Sequence, residues 1–301
     1  MDVDNVAEAY GYAAGAPTWA HPLDPSGVGS LPFPSFHHSE LTEDTFNHLW
    51  ARGEPLVVRG VLENSTIPWT PDYFKSEYGG VSCTIVDCED DNAIGVSTTV
   101  GEFFDRFREH EDGEKVLKLK DWPPTASFSE TAPVLYEDFH AMIPMGNYTR
   151  RDGVLNIASH FPTDAIAPDL GPKMYNAFAS RETPGGKGST RLHKDIADAV
   201  NIMVYAAPND GKEGCAVWDI FPQADSEKIC SFLKEHFKPT DNMDPIHSQS
   251  YYLDSALRKK LFDKYGVKSW RMYQRAGEAV FIPAGCAHQV RAIFLLAICN
   301  F

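Results

Sequence analysis

No C-x-x-C pair occurs among the six cysteines (Cys83, Cys88, Cys215, Cys230, Cys286 and Cys299). That absence argues against a zinc ribbon or thioredoxin-type redox site, and a chain of 301 residues is too long to depend on a disulfide framework. No apolar run has the length of a membrane span, and residues Met1 to Pro17 hold neither Lys nor Arg nor a signal-type hydrophobic stretch, so a soluble intracellular protein with no membrane contact is expected. Positive charge is scarce: Lys and Arg number 27 against 42 Asp and Glu, a formal charge of -15. A uniformly acidic surface repels a polyanion and attracts basic partners, so direct nucleic-acid binding is not expected. The nucleotide motifs G-x-G-x-x-G and G-x-x-x-x-G-K-[ST] are missing, as is the hydrolase elbow G-x-S-x-G. "ETPGGKGSTR" is rich in glycine but lacks phosphate-loop spacing, and reads as a mobile loop.

What the chain does contain is a large apolar share, 43% hydrophobic and 12% aromatic, enough for a substantial core. Residues 1–40 are rich in Gly, Pro, Ala and Ser and read as an irregular arm, with the folded domain covering 41–301. Within it, 41–153 is mixed. "LTEDTFNHLWARG" offers Thr42 as N-cap and Phe46, Leu49 and Trp50 on one face, "EPLVVRGV" is a strand, and "TTVGEFFDRFREHEDG" is a helix carrying Phe103, Phe104 and Phe107. "KVLKLKDWPP" alternates as a strand.

From residue 154 short strands dominate, around 173–179, 199–206, 215–221 and 279–283. Two helices interrupt them, near 226–237 (Ile229, Phe232, Leu233, Phe237, capped by Asp225 or Ser226) and near 254–265 (Leu257, Leu261, Tyr265). Strands without regular βαβ alternation argue for a mainly β fold, an antiparallel sandwich or jelly roll with helices added outside.

His193-Lys194-Asp195 precedes the apolar strand "AVNIMVYAA". Extended, it would turn the His193 imidazole and the Asp195 carboxylate to one face and Lys194 to solvent on the other. Roughly one H-x-D is expected by chance in such a chain, so the tripeptide alone says little. His288, which enters a strand after "EAVFIPAG", supplies a third donor. Two imidazoles and a carboxylate leave three octahedral positions open, the arrangement of non-haem Fe(II) oxygenases. His160 and His247 lack a carboxylate or strand context and read as ordinary hydrogen-bonding residues, and His37 and His38 read as solvated.

"LHKDIADAVNIMVY", "DPIHSQSYYLDSALRKKLFDKYGV" and "AVFIPAGCAHQV", with "YTRRDGVLNIAS" and "DLGPKMYNAF" upstream, resemble the JmjC histone lysine demethylases of the subgroup acting on lysine 9 of histone H3, over roughly residues 46 to 293. The resemblance implies a double-stranded β-helix of the cupin-like jelly-roll class, with a core over 154–301, holding Fe(II) and the co-substrate 2-oxoglutarate. By matched position His193, Asp195 and His288 are the iron ligands and Thr190 places a hydroxyl on 2-oxoglutarate, with Asn201, Tyr175 and Lys173 as further co-substrate contacts. It further implies a nuclear enzyme that demethylates mono- or dimethyl-lysine on the H3 tail among chromatin-associated proteins. A protein hydroxylase on the same scaffold, or a catalytically impaired chromatin-binding module, is the alternative.

Three departures from that family stand out. The Lys expected before the tryptophan is replaced by Gly214 to Val217 ahead of Trp218, and the Lys expected about ten residues past the distal His is replaced by Ile298. The chain ends thirteen residues past His288, which reads as truncated, and the cysteine-rich zinc region of larger relatives is not among these residues. A buried dicarboxylate without a cation is costly, and only Lys173, Lys212 and Arg291 remain to pair it. Arg291, at an odd offset from His288, would point away. Weakened 2-oxoglutarate binding is therefore expected.

Overall fold

The computed structural model describes residues 24–109, 115–122, 128–162, 164, 171–180, 182, 184–208, 213–240, 242–293 and 296–300. Its strands are β1 (Ser35–His37), β2 (Leu56–Arg59), β3 (Ser82–Asp87), β4 (Val96–Thr99), β5 (Leu117–Trp122), β6 (Lys173–Ala177), β7 (Thr190–His193), β8 (Ala199–Ala206), β9 (Ala216–Ile220), β10 (Trp270–Gln274), β11 (Glu278–Ile282), β12 (His288–Ala292) and β13 (Leu296–Asn300). They form a nine-stranded sheet, β1-β2-β11-β8-β13-β6-β5-β3-β4, and a four-stranded sheet, β10-β9-β12-β7. All described pairings are antiparallel except β1 with β2. This is the jelly roll that the strand pattern suggested, and no parallel α/β sheet is present among the described residues.

Alternation along β8 explains the layering. Val200, Ile202 and Val204 turn outward into a core with Phe46, Phe74, Phe103, Phe104, Leu135 and Phe139, while Met203 turns inward to Trp218, Ile220 and Met272 of the smaller sheet. The outward layer is supplied by α1 (Glu43–Trp50), α2 (Pro71–Tyr78), α3 (Val100–Glu109), α4 (Phe128–Thr131) and α5 (Pro133–Met142). Isolated helices of 8 to 10 residues are marginal, so burial of side chains such as Phe46 and Phe103, at about 1.5–3 kcal/mol each, holds them in place. α1 starts where expected, with the Thr42 hydroxyl accepting from the Thr45 N–H at 3.2 Å. The Phe107 side chain lies outside the described residues.

A third cluster packs α6 (Ser226–Phe237) and α7 (Ser255–Tyr265) against Leu192, Phe221 and Ala287 at one end of the smaller sheet. Asp254 caps α7 by accepting from the Leu257 N–H at 2.8 Å, and Gly266, at φ 68°, ends it. Two details of α6 differ from expectation: neither Asp225 nor Ser226 makes a side-chain cap, because the Asp225 carboxylate is taken by Lys228 at 2.7 Å, and Phe237 is 40% exposed, beyond the reach of the core.

Residues 24–40 join the domain at both sheets. β1 adds to the edge of the large sheet, and Asp24 and Ser30 dock on the smaller one. Three strand residues flanked by Pro32 and Pro34 are too few to show a period, which hid them from sequence reading. "GKGSTR" is likewise anchored: the Ser189 N–H donates to the Val290 carbonyl at 3.0 Å and Lys187 bonds Asp91 at 2.6 Å. Opposite the cavity side, Asp219, Arg271, Arg291, Arg258, Glu182 and Asp24 form a buried cluster of three positive and three negative groups.

Candidate metal centre and its cavity

His193 closes β7 and His288 opens β12, and the two are register partners across the antiparallel pair. Their ring centroids are 4.2 Å apart. From that pair to Val290 opposite Thr190, β12 advances two residues while β7 advances three. This bulge matters because Thr190 and His193, at an odd offset, would face opposite sides of a regular strand, yet both line one cavity. Asp195 arrives differently from expectation: β7 stops at His193, and Asp195 stands in the following loop, half exposed, with its carboxylate 3.7 Å from His288 Nε2. The loop is held by the Gly285 N–H donating to the Asp195 carbonyl at 2.9 Å. Asp198 accepts from the Ala284 N–H at 2.7 Å and from Trp50 Nε1 at 3.0 Å.

The donor atoms of His193, Asp195 and His288 lie within 4.8 Å of one another. Each imidazole is oriented by its other nitrogen. His193 Nδ1–H donates to the Arg191 carbonyl at 2.8 Å and His288 Nδ1–H to the Cys286 carbonyl at 3.0 Å, which places the proton on Nδ1 and makes Nε2 the donor atom of each ring. Burial, and then the neighbouring His193, push the His288 imidazole down to about 4, so the ring is neutral at pH 7. Two imidazoles of fixed tautomer, joined by an ionisable carboxylate, fit a divalent transition metal.

The cavity around them measures about 590 Å³ and is also lined by Lys118, Lys173, Tyr175, Thr190, Asn201 and Trp218. Asn201, at 3% exposure, is positioned by Gln274, whose Nε2 donates to the Asn201 Oδ1 and backbone carbonyl at 3.0 Å each while its Oε1 accepts from Trp218 Nε1 at 2.8 Å. Arg291 points away into the buried charge cluster, as its offset required, and Lys212 lies outside the described residues. Lys194 is not solvent-exposed: it is 22% exposed and 4.0 Å from Asp244. His160, bonded to the Val154 carbonyl at 2.8 Å, and His247, on the surface, are absent from the cavity lining.

Sequence reading missed Lys118. From β5 its ammonium donates to Thr190 Oγ1 at 2.6 Å and to the Ser189 carbonyl at 2.9 Å, and stands 5.3 Å from the centre of the Tyr175 ring. The cavity therefore holds a second cation beside the expected Lys173, and the inferred weakness of anion binding loses its basis. A signal was present in "VLKLK": Leu119 alternates into the outer core, so Lys118 faces inward.

A family model described as JmjC domain, hydroxylase, matches residues 201–294. Lysine-specific demethylase 3A of Homo sapiens is 40% identical over 295 residues, covering 83% of this chain and 22% of that protein. The rat protein of the same name is 40% identical over 296 residues, covering 83% of this chain and 24% of its own length. Lysine-specific demethylase 3 of Drosophila melanogaster is 37% identical over 290 residues, 82% of this chain and 34% of that protein. The chain spans about a quarter of the length of the mammalian relatives it matches.

Proposed function

The chain is a JmjC-domain protein, and from that premise we propose that it is an Fe(II)- and 2-oxoglutarate-dependent oxygenase that demethylates mono- or dimethyl-lysine on the histone H3 tail, with lysine 9 the target. The observation that carries this reading is the meeting, at one cavity, of the His193–Asp195–His288 donor set with the Lys118–Thr190 pair. His193, Asp195 and His288 would hold the iron, and Lys118, Thr190, Lys173, Tyr175 and Asn201 would hold the co-substrate. When bound, the iron supplies the oxygen-activating redox chemistry that oxidises an N-methyl C–H bond, after which formaldehyde and free amine separate.

The protein's own residues do the remaining work. The carbonyls of Arg191 and Cys286 hold the Nδ1 protons, so each ring is fixed in orientation with Nε2 toward the metal position. Lys118 presents a partly buried positive charge beside a neutral hydroxyl, which suits a carboxylate better than either group alone. Trp218, Val290 and Ala177 close the inner wall with apolar surface that excludes water. At -15 the chain draws a basic tail toward it, and this supports a nuclear role at chromatin.

The test is formaldehyde release from methylated H3 peptides, with and without 2-oxoglutarate. Release that depends on the co-substrate and is lost in Asp195→Ala is the expected result. Peptide hydroxylation without formaldehyde would favour the hydroxylase reading, and succinate formation in neither case would remove the catalytic one.

A further inference from the structure

Two other histidines meet a carboxylate far from this cavity. Neighbouring residues in a strand point to opposite faces, yet His37 and His38 reach the same side chain: His37 Nε2 lies 3.1 Å from Glu63 Oε1 and His38 Nε2 3.2 Å from Glu63 Oε2. They can do so because β1 ends at His37 and the chain turns. The Glu40 N–H donates to the His37 carbonyl at 2.9 Å, and the His37 N–H donates to Glu40 Oε2 at 3.0 Å. The imidazole centroids come to 4.6 Å at an interplanar angle of 40°.

The backbone opposite is cut away to admit them. Gly60, at φ 78°, precedes the 3₁₀ turn Val61–Asn64 that carries Glu63, and a Cβ there would overlap the His37 ring and approach Glu63 Oε1 to 3.1 Å. His37 Nδ1 lies 2.8 Å from Ser39 Oγ and accepts from the Ser39 N–H at 3.4 Å, so the ring proton sits on Nε2, directed at the Glu63 carboxylate, and a bound metal ion would take that proton's place.

We propose that His37, His38 and Glu63 form a second transition-metal site that binds Zn²⁺ at the outer edge of the nine-stranded sheet. The three donor atoms lie within 4.8 Å of one another, a bound that the His193 set also meets. Bonds of 2.0–2.1 Å in a tetrahedron set donors about 3.3 Å apart, and each imidazole already stands at about that separation from one oxygen of the Glu63 carboxylate. Two imidazoles and one carboxylate select a borderline cation over Ca²⁺ or Mg²⁺, which prefer all-oxygen shells. The His37 and His38 side chains are 29% and 23% exposed, which leaves an open face for water as the fourth ligand. The ion would join β1 to the segment following β2, and so fasten residues 35–38 to the sheet.

To test this, the full chain is freed of metal, and His193→Ala with Asp195→Ala removes the first donor set, so that remaining binding reports the second. Zn²⁺ is titrated in competition with a chromophoric chelator, and Co²⁺ is added separately to read its tetrahedral absorption. One equivalent of Zn²⁺ is expected, with affinity lowered about 10-fold or more by His38→Ala and by Glu63→Gln, each shown to be folded by circular dichroism. No Zn²⁺ equivalent, or an affinity indifferent to both substitutions, would overturn the proposal. Because the first donor set is absent, neither result depends on the catalytic reading.

Discussion

The Lys118 ammonium stands 2.6 Å from the Thr190 hydroxyl, joining β5 of the large sheet to β7 of the small one across the mouth of the cavity. A charge-assisted hydrogen bond of this kind is worth about 1.5–3 kcal/mol. Lys118→Met should therefore weaken 2-oxoglutarate binding about 10- to 100-fold, with Lys118→Arg recovering part of it. Anaerobic titration calorimetry with Fe(II) measures both. An unchanged dissociation constant in Lys118→Met would assign the anion to Lys173 instead.

Asp195 is half exposed, and no packing depends on its carboxylate. Asp195→Ala should abolish stoichiometric iron binding while changing the stability of the metal-free protein by no more than about 0.5 kcal/mol. Iron content by elemental analysis, together with urea unfolding, separates the two effects.

Asp198, exposed three residues after Asp195, joins three segments through Ala284 N–H and Trp50 Nε1. Hydrogen bonds to a charged acceptor contribute about 1.5–3 kcal/mol each. Asp198 is exposed and solvent competes for these bonds, so Asp198→Ala should cost about 0.5–1.5 kcal/mol in chemical unfolding and also lower iron affinity, because the Pro283–Gly285 turn that leads into His288 loses its tether. Stability lost with iron affinity intact would confine Asp198 to a structural part.

The buried charge cluster sets the response to acid. Burial alone would raise the Asp219 carboxyl, but Arg271 and Arg258 outweigh it and hold it below the usual carboxylate range; Asp24 behaves alike, with Arg258 and Ser26 outweighing its burial. Both folded values are depressed, so their contribution is fully present above the unfolded value near 4 and is lost as pH falls through the lower folded ones. Unfolding free energy should decline steeply below about pH 4. Arg258→Met, which takes the guanidinium partner from Asp24 while Glu182 keeps Arg271 and Arg291, should cost about 3 kcal/mol at pH 7 and flatten that decline. A variant with wild-type acid sensitivity would move the origin of the effect elsewhere.

The fold class was readable because strand and helix periods recur with their punctuation: "DAVNIMVYAA" yields β8 and "DSALRKKLFDKYG" yields α7 with few boundary errors. The His193, Asp195 and His288 grouping was legible for a narrower reason, a short tripeptide and a histidine at a strand entrance. Their meeting depends on a bulge and a loop that alternation does not describe. Lys118 was hidden by distance: 72 residues separate it from Thr190, and only the sheet order β5-β6-β13-β8, folded over the smaller sheet, brings it to the cavity. Arg258 was hidden by context, since a helix reading of "RKK" leaves all three cations in water, whereas Arg258 is 4% exposed beneath Asp24.

β13 follows every other described strand in the sequence, yet it sits inside the large sheet, hydrogen-bonded to β8 on one side and β6 on the other. During synthesis β6 and β8 therefore leave the ribosome about a hundred residues before the strand that joins them, each with one flank of its backbone amides and carbonyls unpaired. The sheet is completed by an insertion rather than by stepwise addition of hairpins, a topology of high contact order whose slow closure keeps two sticky edges open. A nascent or proteolytically trimmed chain lacking residues 296–300 should accordingly depend on chaperone capture to a degree that the 301-residue chain does not.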